Sequence, residues 1–197
     1  FGPITDAQRQ RLEIIKLNAR TLSKLMTDLL DVQKIELGQL RVSKERHNMA
    51  DVLDGVVENM KPTMEKYRIH MSTQLQPDLF CMCDSMRIEQ VIHNLLSNAI
   101  DFCPKENGQI SIALHAEGTN AKIIVKDNGI GISESKLDQI FVKFYQIDTS
   151  VTREHGGTGL GLVVCKGIIE AHGGKIWAES EGEKKGSEIH ILLPLDN

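Results

Sequence analysis

Apolar residues recur near the start of the chain at Leu12, Ile15, Ala19, Leu22, Met26 and Leu29, in steps of 3, 4, 3, 4 and 3. That alternation puts them on one stripe of an α-helix, the seam of a coiled coil. From Asp6 to about Leu40 there is no proline, and the one glycine, Gly38, falls near the end. A long helix is therefore predicted. Leu25, Leu30 and Val32 widen the stripe, so the helix needs more than one neighbour. It packs either on its own domain or in an intermolecular bundle, and the strict 3-4 alternation favours the bundle. The polar stretch 41–48 reads as a connector.

Beyond it, helix and strand signals alternate. A helix is predicted over about 50–67, with Pro62 expected to kink it or end its regular part. Short strands are predicted at 69–75 and 79–83. Asp84 has the chemistry of a helix cap, and Ile88, Val91, Ile92, Leu95 and Leu96 give the following helix, to about Phe102, a core face. Ile110, Ile112 and Leu114 alternate, as do Ile123 and Val125, which predicts a hairpin over 109–116 and 121–127. Residues 132–157 carry little pattern beyond a short helix near 134–141. A helix from Thr158 to about His172 and strands at 174–180 and 186–193 complete the chain. Helices interspersed with mostly antiparallel strands imply an α/β two-layer sandwich.

Composition narrows this. Hydrophobic residues make up 41% of the 197 but aromatics only 4%, so the core must be aliphatic. A net charge of −4 gives no nucleic-acid footprint. Cys81, Cys83, Cys103 and Cys165 have neither disulfide-framework density nor zinc spacing. Cys81-x-Cys83 sits in an apolar run and reads as alternating strand residues, reduced as in a cytosol. No apolar run reaches membrane-spanning length and nothing resembles a signal peptide, so a soluble chain is expected; its expected location is cytoplasmic, with membrane attachment of the parent protein through upstream segments left open.

Three polar and glycine-rich patches carry the chemistry. Asn94 and Asn98 are four apart on a predicted helix and share a face. Two amides on one stripe suit Mg²⁺, which takes few protein ligands and adds phosphate oxygens; asparagines decorating a solvated face are the plainer alternative. Asp127-Asn-Gly-Ile-Gly131 ends a strand. A carboxylate buried there accepts hydrogen bonds and so matches the exocyclic amine of adenine, while Gly129 and Gly131 allow positive φ and close approach of a ring. An ordinary Asp-Asn-Gly turn is the alternative. Gly156-Gly-Thr-Gly-Leu-Gly161 precedes a helix and aims backbone N–H groups at phosphates, unless it is only a flexible loop. No Gly-x4-Gly-Lys-Ser/Thr is present, which excludes a Walker P-loop. In this order, with Phe141-x-x-Phe144 between the last two, the patches read together as an ATP site.

At this point the sequence resembles the sensor histidine kinases of two-component signalling, across nearly its whole length. Ile88 to Ile100 matches that family's N box, Asp127 to Gly131 its G1 box, Ile140 to Gln146 its F box and Gly156 to Leu162 its G2 box. Gly186-Ser187 sits where a Gly-Ser/Thr element closes the adenine pocket. The resemblance implies ATP and Mg²⁺ as cofactors, with Asn98 ligating the metal, Asn94 near the phosphates and Asp127 reading adenine together with Ser187. Gly157, Thr158, Gly159, Leu160, Gly161 and Leu162 would wrap the triphosphate. Phe102, Ile132 and Tyr145 would add contacts, residues 132–157 would form an ATP lid, and Lys143 would reach a phosphate. Residues 29–38 resemble the end of the second helix of the family's dimerisation and phosphoacceptor hairpin. The expected division is therefore 1–45 for that helix and 46–197 for the catalytic ATP-binding domain, with a homodimer and a response regulator receiver domain as partners.

Two departures stand out. None of the seven histidines has the acidic residue and Arg/Lys-x-Pro context of a phosphoacceptor, so the chain alone is expected not to autophosphorylate, and truncation upstream of Phe1 is the expected reason. Asp101 stands where the family usually has a lysine pointing at phosphate; weakened affinity is expected, with compensation by Lys105, Lys143 or Arg153, or a place beside Mg²⁺, as the alternatives. Gyrase-, MutL- and Hsp90-like ATPases place a glutamate base where Asn94 stands, and an amide cannot take a proton from water. A kinase is thus expected ahead of a hydrolase, with a nucleotide-binding pseudokinase or scaffold as the rival.

Overall fold

The structure is a computed structural model that describes residue 2, residues 4–146 and residues 158–196. Helix α1, Asp6–Glu36, opens on a capping box: Thr5 Oγ1 accepts from the Gln8 amide at 3.3 Å, and Gln8 Oε1 accepts from the Thr5 amide at 2.8 Å. Its seam residues Leu12, Ile15, Leu22 and Met26 are exposed, Ile15 at 62%. A different face docks on the body of the chain. Asp28, Asp31 and Val32 are buried there, so Val32 belongs to this second face and not to the seam.

The connector expected at 41–48 contains strand β1, Glu45–Asn48, which pairs antiparallel with β3, Phe80–Cys83. Between them run α2, Met49–Lys66, and β2, His70–Leu75. Pro62 does not stop α2. It lies on the exposed face, while Met60 and Met64 are buried on either side and hold the last turn against the core.

The rest follows in the expected order: α3, Ser85–Phe102; β4, Gln109–Glu117; β5, Asn120–Asp127; α4, Gly161–Ala171; β6, Lys175–Glu179; and β7, Ser187–Pro194. Two single turns of 3₁₀ helix, Glu134–Lys136 and Gln139–Phe141, replace the short helix predicted near 134–141. Helix α4 starts three residues later than expected.

The main sheet has the order β2-β4-β5-β7-β6, parallel at β2–β4 and antiparallel elsewhere. One sheet face carries Ile110, Ile112 and Leu114, then Ile123 and Val125, then Ile189, Ile191 and Leu193, all buried. Helices α2, α3 and α4 cover that face, which makes a two-layer α/β sandwich preceded by a long helix. Every fully buried hydrophobic residue described is aliphatic or sulfur-bearing, as the scarcity of aromatics requires. Cys81 and Cys83 point into this core, and burial pushes their thiols up to about 12 and about 11. Among the described residues no helix is long and apolar enough to cross a membrane.

Candidate nucleotide site

A cavity of about 440 Å³ lies between α3, the ends of β5 and β7, the loop after β5, the start of α4 and one face of α1. The register of the sheet builds its deep end. Asp127 and Ser187 are cross-strand partners, and the Ser187 hydroxyl donates to Asp127 Oδ2 at 2.6 Å. The Gly129 amide donates to Asp127 Oδ1 at 2.7 Å. Burial pushes the Asp127 carboxyl above its ordinary range, against the lowering effect of these two donors. Val125, Ile130, Ile140 and Ile189 supply apolar wall around it. A flat heteroaromatic ring with an exocyclic amine suits such a slot.

The loop after Asp127 is held by the turn before β7. Lys184 N–H donates to the Ile130 carbonyl at 2.6 Å, Gly186 N–H to the Gly129 carbonyl at 3.2 Å, and Ile132 N–H to Ser180 Oγ at 3.0 Å. Gly131 sits at φ 68°, a conformation that favours glycine. Gly129 is different. It has no positive φ; its small size matters because a Cβ would lie 2.6 Å from the Phe102 carbonyl oxygen.

At the opposite end, Asn94 and Asn98 line the cavity from α3. Asn94 is only 5% exposed, so it does not decorate a solvated face. Its Nδ2 is buried without an oxygen or nitrogen partner and has only the weakly accepting Cys165 sulfur beside it. An unsatisfied buried amide donor is costly, and a phosphate oxygen would satisfy it. The start of α4 lies beside it: a Cβ on Gly161 would come within 3.9 Å of Asn94 Cγ. A helix N-terminus presents unpaired amide N–H groups and the positive end of its dipole. The donor set thus fits a polyphosphate.

Most of the expected residues meet here. Phe102, Ile132, Tyr145, Thr158, Gly159 and Leu162 line the cavity, as does Asp101. Lys143 does not; its ammonium is ion-paired with Glu36 at the end of α1. Leu160 is a core residue, 3% exposed. Gly157 and Arg153 lie outside the described residues, and Lys105 is not on the cavity wall. Part of the wall comes from α1, outside every motif. Thr21, Lys24 and Asp28 of α1 line the cavity, and their 3-4 spacing, a polar stripe parallel to the seam, was the available signal.

Residues 83–197 match the model of the histidine kinase-, DNA gyrase B- and HSP90-like ATPase family, and the chain belongs to that family. It is 35% identical over 198 residues to the circadian input-output histidine kinase CikA of Synechococcus elongatus, a match covering 98% of this chain and 26% of that protein. The structure of the Acinetobacter baumannii histidine kinase AdeS aligns with a TM-score of 0.75 at 27% identity, over 100% of this chain and 88% of AdeS. The histidine kinase ThkA in complex with the response regulator protein TrrA aligns with a TM-score of 0.73 at 26% identity, over 99% of this chain and 53% of that one. The chain spans about a quarter of the length of the curated relative CikA. Family match and likenesses together make it a sensor histidine kinase catalytic domain carrying an N-terminal helix.

Proposed function

We propose that residues 46–197 bind Mg·ATP in this cavity and transfer the γ-phosphoryl group to a histidine on a helix upstream of α1, for relay to a response regulator receiver domain. One observation carries the reading: a single cavity joins a half-buried, donor-held carboxylate at Asp127 to a buried amide donor at Asn94, without an oxygen or nitrogen partner, beside a helix N-terminus. Asp127 reads adenine, Asn98 ligates Mg²⁺, and Asn94 with the first turn of α4 takes the phosphates. Transfer then rests on positioning and charge neutralisation. Hydrolysis is slow, because the cavity position of Asn94 holds an amide and no base. Residues 1–45 form the second helix of the dimerisation hairpin. The exposed seam from Leu12 to Leu29 supports a homodimer, since a stripe so apolar is costly to leave in water.

Asp101 favours a second reading, a nucleotide-binding scaffold without transfer, because it adds a carboxylate to the wall that must receive phosphates. The two are separated by supplying the upstream helix and incubating with labelled ATP. Acid-labile, alkali-stable phosphate on histidine is the expected result. Nucleotide binding without labelling would select the scaffold.

A further inference from the structure

Among the described residues lining the cavity, one is basic, and it does not come from the catalytic body. Lys24 lies on α1, four residues before Asp28 and so on the same helix face. The cavity lining also carries three acidic residues, Asp28 on the same helix face as Lys24, Asp101 of α3, and Asp127 at the adenine end. A triphosphate entering such a cavity needs cations beyond the one metal ion, because like charges a few ångströms apart repel by about 4 kcal/mol at an effective dielectric of 20. Lys143 is drawn off to Glu36. The phosphate end is nevertheless a built site: the buried Asn94 Nδ2 has no oxygen or nitrogen partner, Gly161 at the N-terminus of α4 adjoins it, and Lys24 shares the cavity with both.

The docking of α1 that brings Lys24 there is specific. Arg87 of α3 donates to Asp31 Oδ2 at 2.8 Å, with Gln90 Nε2 donating to the same oxygen at 3.2 Å. Gly167 of α4 gives Ile35 room to pack, since a Cβ there would overlap the Ile35 side chain. These contacts flank the stretch of α1 that reaches the cavity on its C-terminal side.

We propose that Lys24 is a phosphate-binding residue of the nucleotide site, delivered by the docked helix in place of the lysine that Asp101 displaces. The proposal rests on the nucleotide reading above. It makes α1 part of the ATP site, so nucleotide and helix docking are linked: whatever factor docking adds to ATP affinity, ATP returns to docking.

The test is calorimetric titration of the whole chain with Mg²⁺ and a non-hydrolysable ATP analogue, and separately with adenosine. Lys24→Met keeps the length of the side chain and removes the charge. It should weaken the ATP analogue by roughly tenfold to a hundredfold, the usual effect of losing a hydrogen bond to a charged group, and change adenosine affinity little. Lys24→Arg should restore most of the loss. Lys24 is exposed, and Lys24→Gln gives a second charge-free variant. In the wild type, amide exchange over 21–28 should slow when the analogue binds, and in Lys24→Met it should not. Wild-type analogue affinity in Lys24→Met, alongside lost affinity in Asp127→Asn, overturns the role of Lys24 and leaves the nucleotide reading intact. A wild type that binds neither ligand overturns both. Loss in Lys143→Met without loss in Lys24→Met also overturns the proposal.

Discussion

Asp127 shows how little a single carboxylate needs in order to select a base. One oxygen is held by Ser187 and the other by the Gly129 amide, so its orientation is fixed before any ligand arrives. Each oxygen keeps a lone pair, and an exocyclic amine can donate to it where a carbonyl would be repelled. In Asp127→Asn the amide nitrogen meets a donor on at least one side. Affinity for adenine nucleotides should fall by roughly tenfold to a hundredfold, the range for hydrogen bonds to charged groups, with no effect on the melting temperature large enough to signal unfolding. Titration calorimetry checks this, and unchanged affinity would remove Asp127 from the adenine end. Asp101 bears on the other end. Asp101→Lys exchanges a repulsion for an attraction on the same wall, and ATP affinity should rise by roughly tenfold or more. Equal affinity in the two proteins would show that Asp101 does not face the phosphates.

Between elements, the docking of α1 depends on few contacts, and they can be taken apart. Asp31 is 3% exposed as a side chain and Arg87 25%, so removing one partner strands a charge that is mostly out of water. Arg87→Ala should cost about 2–4 kcal/mol in urea unfolding, somewhat less than the ~3–5 kcal/mol for breaking a fully buried pair because the guanidinium is partly solvated. Asp31→Asn should cost less, since Gln90 can still bond an amide. If Arg87→Ala costs less than Asp31→Asn, the stranded-charge account is wrong. Gly167→Ala separates two opposing effects: alanine favours a helix interior by about 1 kcal/mol, but the new methyl meets Ile35. A net loss, reversed by pairing it with Ile35→Val, is expected. These contacts mark the limit of what the sequence discloses. The hairpin β4–β5 was legible because Ile110, Ile112, Ile123 and Val125 alternate with period two, and α3 because a cap and an apolar face coincide. Strand β1, Glu-Arg-His-Asn, has no apolar alternation at all; it exists because β3 needs an edge partner. The motif residues of the cavity were legible because their chemistry repeats a known pattern. Lys24 and Asp28 were not, because their part depends on which face of α1 docks, and the stronger seam signal pointed to the other face.

Over the whole molecule, two buried histidines tie the layers together and give stability a pH dependence of fixed sign. His172, at the end of α4, donates from Nδ1 to the Ile168 carbonyl at 2.8 Å and accepts on Nε2 from the Asp84 amide at 3.0 Å. That arrangement requires the neutral ring, and it joins the end of α4 to the cap of α3. His190 of β7 stacks on Trp177 of β6 with centroids 5.0 Å apart, and neither ring nitrogen has a hydrogen-bond partner. Burial lowers both from the ordinary value of 6.5; for His190 it outweighs the raising effect of Glu179 and Glu188. A histidine whose pKa is lowered by folding binds its proton more readily in the unfolded chain. Stability is then fully present above pH 6.5 and is lost as pH falls from there toward the folded values. Urea midpoints should accordingly be level from pH 7 to 8 and drop between about pH 6.5 and 5, where the unfolded histidines titrate. His172→Gln keeps an acceptor for the Asp84 amide and removes the titrating group, so its drop over that interval should be visibly shallower than that of the wild type. An equal slope in the two proteins would exclude His172 as a source, and a midpoint that rises on acidification would reverse the sign for both histidines.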